Sequence, residues 1–258
     1  MKKLSRVFLT IGMALVLGSA AHAGPRLDRI MESKVLRVGT PGDYRPFAIK
    51  TNADGFEGHD IDIIEAMARE LGVKIEYVQT SWPNLMANLL DDKFDIAVGG
   101  ITRNLTRISK AEMLPGYAPF GKVALVRKDQ ASKYNSVDDL NQPSVHVIKN
   151  PGGTNEIFVL ANLKQAKIST HEKNAEIPAL IAEGKGDVMI TETYEALHYG
   201  KADPRLAAKF IDAPLTPENR LGFMLPADDA DYVRVMRFVW DLLDERDVLD
   251  AAEQRWLK

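Results

Sequence analysis

Cysteine is absent from all 258 residues, which excludes disulfide bonds, a thiolate nucleophile and a lipid-modified N-terminal cysteine. An excess of positive charge is missing too: 33 lysines and arginines stand against 36 aspartates and glutamates, without a basic cluster. That balance argues against nucleic acid and anionic membrane as partners. Histidines are few and dispersed; no two of His59, His146, His171 and His198 fall at ligand spacing on one element, so metal chemistry has little support. No serine sits in a nucleophile-elbow pattern, which counts against covalent hydrolysis. Beyond residue 17, no apolar run approaches the roughly 18 residues needed to span a bilayer. Low-complexity segments and short-period repeats are lacking as well.

What is present begins with an export pattern. Lys2, Lys3 and Arg6 precede an apolar stretch over 7–17, and Ala21-His22-Ala23 forms a small-x-small cleavage site before Gly24. Residues 1–23 therefore read as a cleavable signal peptide, and the expected location is the periplasm. Removing 23 of 258 residues leaves 235, enough for one large domain or two modest ones. It also takes away three basic charges, so the net charge moves from −3 to −6. An anionic ligand would then need a few arginines placed locally.

Short β-type runs alternate with helical patterns, which predicts an α/β fold with largely parallel strands. Runs at 35–39, 74–78 and 94–99 read as strands, and Ile61, Ile64, Met67, Ala68 and Leu71 form a helical apolar stripe between the first two. A helix entered through Ser81, with Pro83 in its first turn, follows the second. The pattern restarts with strands at 145–148, 167–171 and 187–191 and helices between them. Extended segments at 121–127 and 221–225 separate the units, and a helical region over 231–257 closes the chain. Two α/β lobes joined by a two-strand hinge are expected, with 24–124 and 223–258 in one lobe and 125–222 in the other. A ligand cleft would lie between them.

The run Asn150-Pro151-Gly152-Gly153-Thr154-Asn155-Glu156 follows the strand at 145–148. Two glycines permit a tight turn, and Thr154 or Asn155 is placed to cap the following helix. Free N–H groups there suit an anion, most plausibly a carboxylate. The same run also suits an ordinary capped turn, and alone it does not separate the two.

In the order of these runs, with Trp82 to Leu85 and Thr106-Arg107, the chain resembles family 3 of the periplasmic solute-binding proteins. That resemblance covers nearly the whole mature chain and implies a two-lobed type II fold, usually serving amino-acid uptake. Arg26-Leu27-Asp28-Arg29-Ile30, Gly42-Asp43-Tyr44-Arg45-Pro46-Phe47, Thr80-Ser81-Trp82-Pro83-Asn84-Leu85-Met86, the turn at 150–156 and Ala161-Asn162-Leu163-Lys164 are similar to the cyclohexadienyl dehydratase branch. Its members share the fold and convert prephenate or arogenate to phenylpyruvate or phenylalanine.

The resemblance implies a cofactor-free, metal-free site. Arg107 would pair with a carboxylate through its guanidinium, assisted by the Thr102 hydroxyl and the Gly100 N–H. Gly153, Thr154 and Asn155 would hold a second carboxylate end. Tyr44 and Trp82 would enclose the ring, whereas Phe47 reads as core. Arg103, basic where similar dehydratases are apolar, reads as solvated. Glu192 matches an acid that pairs with a ligand ammonium in amino-acid-binding relatives, although aspartate is usual there. Glu195 matches the general acid of the dehydratases; a solvated helix glutamate is its alternative. If a helix opens at 191–196, Glu192 and Glu195 lie side by side at i and i+3. Lys122 and Asn150 are weaker candidates for cleft contacts. The ligand is expected to be a small carboxylate or amino acid, and an ABC permease would be a partner only if the protein serves transport.

Overall fold

The computed structural model describes residues 24–52 and 55–258, so the expected signal peptide lies outside the described residues. Two five-stranded sheets divide the chain. In the first, Lys74–Gln79 and Ile96–Ala97 flank Val35–Thr40 in parallel, and Met224–Leu225 and then Glu112–Met113 extend it antiparallel. In the second, Lys167–Thr170 and Val188–Glu192 flank His146–Lys149 in parallel. Lys122–Arg127 then runs antiparallel beside Val188–Glu192, with Leu206–Lys209 at the edge. Parallel neighbours need crossovers, supplied by His59–Leu71 and Leu85–Leu90 in one lobe and by Thr154–Asn162 and Ile177–Ala182 in the other.

Periodicity explains these choices. Ile61, Ile64, Met67 and Ala68 fall on one face of His59–Leu71 and are buried, and Gly72, at φ +65°, ends that helix in a left-handed cap. The first core joins Leu36, Val38 and Ile64 to Met236 and Trp240 of the returning helix Ala230–Glu245. A second core gathers Val126, Val147, Val159 and Val188. Among the described residues, no helix is long and apolar enough to cross a membrane.

A two-stranded antiparallel ribbon, Tyr117–Phe120 with Asn219–Leu221, joins the lobes. This differs from the crossings expected at 121–127 and 221–225, because Lys122–Arg127 lies within the second sheet and Met224–Leu225 within the first. Apolar runs mark sheet interiors, whereas the crossing itself carries Pro119, Asn219 and Arg220. The first lobe boundary thus falls before Lys122 rather than after residue 124. The lobes touch. Thr102 Oγ1 lies 3.2 Å from Thr154 Oγ1, and the Phe47 and Tyr194 rings meet edge to face at 6.1 Å. A Cβ on Gly152, at φ +81°, would stand 2.5 Å from the Pro83 nitrogen.

Buried Asp95 fastens the N-terminal helix Pro25–Ser33 to the first sheet. It accepts from Arg37 N at 2.9 Å, Arg37 Nη2 at 2.8 Å and Arg26 Nη1 at 2.9 Å, and also from Arg29. Burial pushes this carboxyl up, but the bonds from Arg37 and Arg29 outweigh that and hold it below the usual aspartate range. Asp95→Asn leaves several guanidinium groups short of their counter-charge and is expected to cost about 3–5 kcal/mol of stability in urea denaturation at neutral pH. A depressed folded-state pKa gives stability that is present above about pH 4 and is lost as the pH falls through the folded value. The gap between wild type and Asp95→Asn should therefore narrow in acid.

Candidate active site

Residues following the carboxyl ends of strands from both sheets surround a small cavity of about 20 Å³ between the closed lobes. The first lobe contributes Tyr44, Trp82, Gly100, Thr102 and Arg107. Asn150, Gly153, Thr154, Asn155 and Glu192 come from the second. The residues expected to bind the ligand are thus brought together, although Glu195 and Lys122 do not line the cavity and several others are engaged differently from the expectation.

Tyr44 is buried and stacks on Phe47, with centroids 5.8 Å apart and planes 14° apart. Trp82 meets its edge at 5.6 Å and 79°, so two aromatic surfaces form a corner. The Trp82 indole donates to Asp43 Oδ1 at 2.9 Å, which fixes the ring. Gly100, at φ +73°, runs so close that a Cβ would come within 2.6 Å of the Tyr44 ring. Its N–H is not free for a ligand. Buried Asp60 Oδ2 accepts it at 2.8 Å, together with Gly99 N at 2.9 Å and the Tyr117 hydroxyl at 2.6 Å. The expected Gly100 donor is therefore spent on holding the loop.

Arg107 belongs to the short helix Leu105–Ile108, and its N–H is capped by Asn104 Oδ1 at 2.9 Å. Its Nη1 donates to the Thr102 carbonyl at 2.5 Å, and among the described residues no carboxylate pairs with it. Burial alone pulls its pKa down to about 10. An unpaired, half-buried guanidinium at a cavity wall is a strong attractor for an anion. Arg103, expected to be solvated, is half-buried instead, with its side chain packed over Gly116 and Gly222 beside the hinge.

Helix Thr154–Asn162 starts after Gly153 and has no side-chain cap. The expected caps are diverted, because Lys122 Nζ donates to Thr154 Oγ1 at 2.8 Å and, more closely, to Asn155 Oδ1. The same ammonium also contacts Glu192 Oε1. Lys122, ranked in sequence only as a weaker candidate for cleft contacts, thus joins three polar residues of the second half-site. Burial pushes the amine of Lys122 well down, with Arg107 adding to the effect and Glu195 opposing it. Burial also pushes Glu192 up to about 8.

Glu192 and Glu195 do not share a helix face. Glu192 ends the strand Val188–Glu192 in extended conformation, at φ −96° and ψ 160°, and only Glu195 lies in the helix Thr193–Ala202. One carboxyl turns to Lys122, the other elsewhere. Glu195 is wholly buried beside the cavity rather than in its lining. Asn174 Nδ2 donates to its Oε1 at 2.6 Å, and the Thr191 hydroxyl contacts its Oε2. Burial drives its pKa well above the ordinary value, and neighbouring Glu192 and Asp43 add to this against the bonds from Thr191 and Asn174. Sequence reasoning missed Asn174 altogether. Its one signal is a polar residue just ahead of the apolar helix Ile177–Ala182.

Known proteins resemble this chain in sequence and fold. Cyclohexadienyl dehydratase of Pseudomonas aeruginosa is 39% identical over 247 residues, spanning 95% of this chain and 91% of that one. A probable amino-acid ABC transporter-binding protein of Haemophilus influenzae is 28% identical, over 81% and 79% of the two chains. A crystal structure of an ancestral amino acid-binding protein, described as a precursor of cyclohexadienyl dehydratase, aligns with a TM-score of 0.83 at 34% identity, over 90% of this chain and 100% of that one. An ancestral cyclohexadienyl dehydratase aligns with a TM-score of 0.56 at 45% identity, over 92% and 97%. Residues 36–258 match the bacterial extracellular solute-binding proteins, family 3, and the chain belongs to that family.

Proposed function

We propose that the protein is a periplasmic cyclohexadienyl dehydratase: a cofactor-free lyase that turns prephenate or arogenate into phenylpyruvate or phenylalanine. The observation that carries this reading is Glu195, a wholly buried carboxyl beside the cavity whose environment favours its neutral, proton-bearing form. Such a group suits a reaction that must hand a proton to a poor leaving group. The 39% identity to a protein of that name supports the same reading.

The chemistry balances with a single acid. The bond from the ring to its carboxylate breaks, carbon dioxide leaves, and that electron pair enters the ring. The carbon–hydroxyl bond then breaks with its own pair, and the departing oxygen takes the proton of Glu195 to leave as water. Solvent reprotonates the carboxylate once the lobes open. Arg107 holds one carboxylate, the uncapped start of Thr154–Asn162 holds the other, and Tyr44 and Trp82 confine the ring. Glu195 reaches the hydroxyl by exchanging its Thr191 contact for one to the substrate. Alignment in a dry, closed cleft supplies the rest of the acceleration.

The rival reading is amino-acid capture for an ABC permease, the role in the name of the Haemophilus relative. It needs Glu192 for the ligand ammonium. That carboxyl already contacts the Lys122 side-chain nitrogen, so a ligand amine would have to compete with it.

Purified mature protein is expected to release phenylpyruvate from prephenate, and Glu195→Gln should lower kcat by about 10² to 10⁴-fold with little change in KM. Inert protein that gains thermal stability with an amino acid would instead support capture. Arg107→Lys, which keeps the charge but loses the fork, should raise KM by about 10- to 100-fold. Because Glu195 acts in its protonated form, kcat should fall as pH rises through its elevated pKa, and Glu195→Gln should lack that limb.

A further inference from the structure

We propose that Asp43 and Asn174 form a clasp across the cleft that sets the Glu195 carboxyl in its working position only when the lobes meet. The inference rests on the reading of Glu195 as the acid. Asn174 is wholly buried and opens the turn Asn174–Glu176 in the second lobe, whereas Asp43 lies beside Tyr44 in the first. The Asn174 N–H donates to Asp43 Oδ2 at 3.2 Å, and Asn174 Nδ2 reaches the Asp43 carbonyl at 3.5 Å. That same amide nitrogen donates to Glu195 Oε1 at 2.6 Å. Asp43 Oδ1 meanwhile accepts the Trp82 indole. One continuous chain of contacts therefore runs from the aromatic wall of the cavity, through two carboxamide and carboxylate groups, to the acid.

The division between lobes gives the chain its meaning. Asn174 and Glu195 sit in one lobe and keep their bond when the cleft opens; the bonds to Asp43 cross the cleft and cannot survive opening. Closure therefore adds three things at once: a fixed backbone for Asn174, a shielded carboxyl at position 195, and the Asp43 carboxyl nearby, which burial itself pushes up against the bonds from Trp82 and Asn174. With Asn174 anchored, its amide holds Oε1, so the proton resides on Oε2, the oxygen beside Thr191. The other charged or titratable groups around Glu195 are Glu192, which acts in the same direction as Asp43, Lys122, which acts against them, and Tyr199 on its own helix. Arg45 acts on both Tyr199 and His198, whose rings meet at 5.3 Å. Opening would change the surroundings of Glu195 chiefly through Asp43, the one member of this set from the first lobe that Asn174 touches.

The test compares wild type, Asp43→Asn, Asp43→Glu and Asn174→Ala with prephenate as substrate. In parallel, the Glu195 carboxyl is titrated by carbon-13 NMR in glutamate-labelled protein, with Glu195→Gln for assignment and phenylpyruvate added to favour closure. Asp43→Asn is expected to lower kcat by about tenfold while KM moves less than about threefold, with the alkaline limb of the rate profile displaced to lower pH. The Glu195 midpoint should fall with it in the phenylpyruvate-bound protein, and Asp43→Glu should restore part of both. An unchanged midpoint and rate profile in Asp43→Asn, in protein that melts as wild type does, would overturn the clasp. Asn174→Ala should lose kcat in the same way. If it does not fold, Asp43→Asn decides alone. Wild type that forms no phenylpyruvate would remove the dehydratase reading, while the carbon-13 titration would still tell whether Asp43 governs the Glu195 carboxyl.

Discussion

Excluding water from charged groups between two lobes is the constraint on which the rest of this molecule depends. Lys122, Glu192 and Glu195 are buried there, and Arg107 stands half-buried beside them. In bulk solvent each would be an ordinary surface charge. Confined together, the acids drift toward their neutral forms and the amine does likewise, because a poorly hydrated charge is costly unless a partner offsets it. The cleft therefore holds a stock of protons and one unsatisfied positive charge, which suits capture of an anion and delivery of a proton to it.

The scaffold makes that confinement possible by duplication. Each sheet flanks its earliest parallel strand with two parallel neighbours, so the loops after those strands leave from one end, and facing two such sheets doubles the number of loops at the cleft. The two half-sites are chemically different. One is aromatic with a guanidinium; the other is a helix start threaded by an ammonium and carboxyls. Under the proposed reading, neither half alone would enclose the substrate ring and both its carboxylates, so affinity and reactivity would rest on their meeting.

Most of the fold was legible because burial leaves a periodic trace. The helix His59–Leu71 and the parallel strands announce themselves through apolar spacing, and the glycines at 99, 100 and 152 mark places where backbone comes close to a neighbour. Tyr44, Trp82, Arg107 and the turn at 150–156 were likewise recognisable as a set, and they line one cavity. Polar residues that turn inward leave no such trace. Asp60 and Asn174 drew no attention in sequence and Lys122 ranked only as a weaker candidate for cleft contacts, yet each is buried and organises several neighbours. For the same reason the Gly100 N–H and the Thr154 and Asn155 side chains were assigned to a ligand and to a helix cap. Their actual partners, Asp60 and Lys122, are distant in sequence, so no local pattern could name them. The hinge was misplaced by a few residues for the opposite reason, since the strongest apolar runs belong to the sheets and the pivot is comparatively polar.

Asp60 also bears on how the molecule moves. Its carboxylate takes the Tyr117 hydroxyl from the linking ribbon and the two glycine N–H groups at the floor of the cavity. The pivot and the floor are thus riveted to a single buried oxygen, Asp60 Oδ2, in the first lobe. Swinging of the second lobe would leave that floor undistorted: one jaw behaves as a fixed anvil already shaped for its guest, and the cost of closing falls on the other jaw and on the ribbon's far strand.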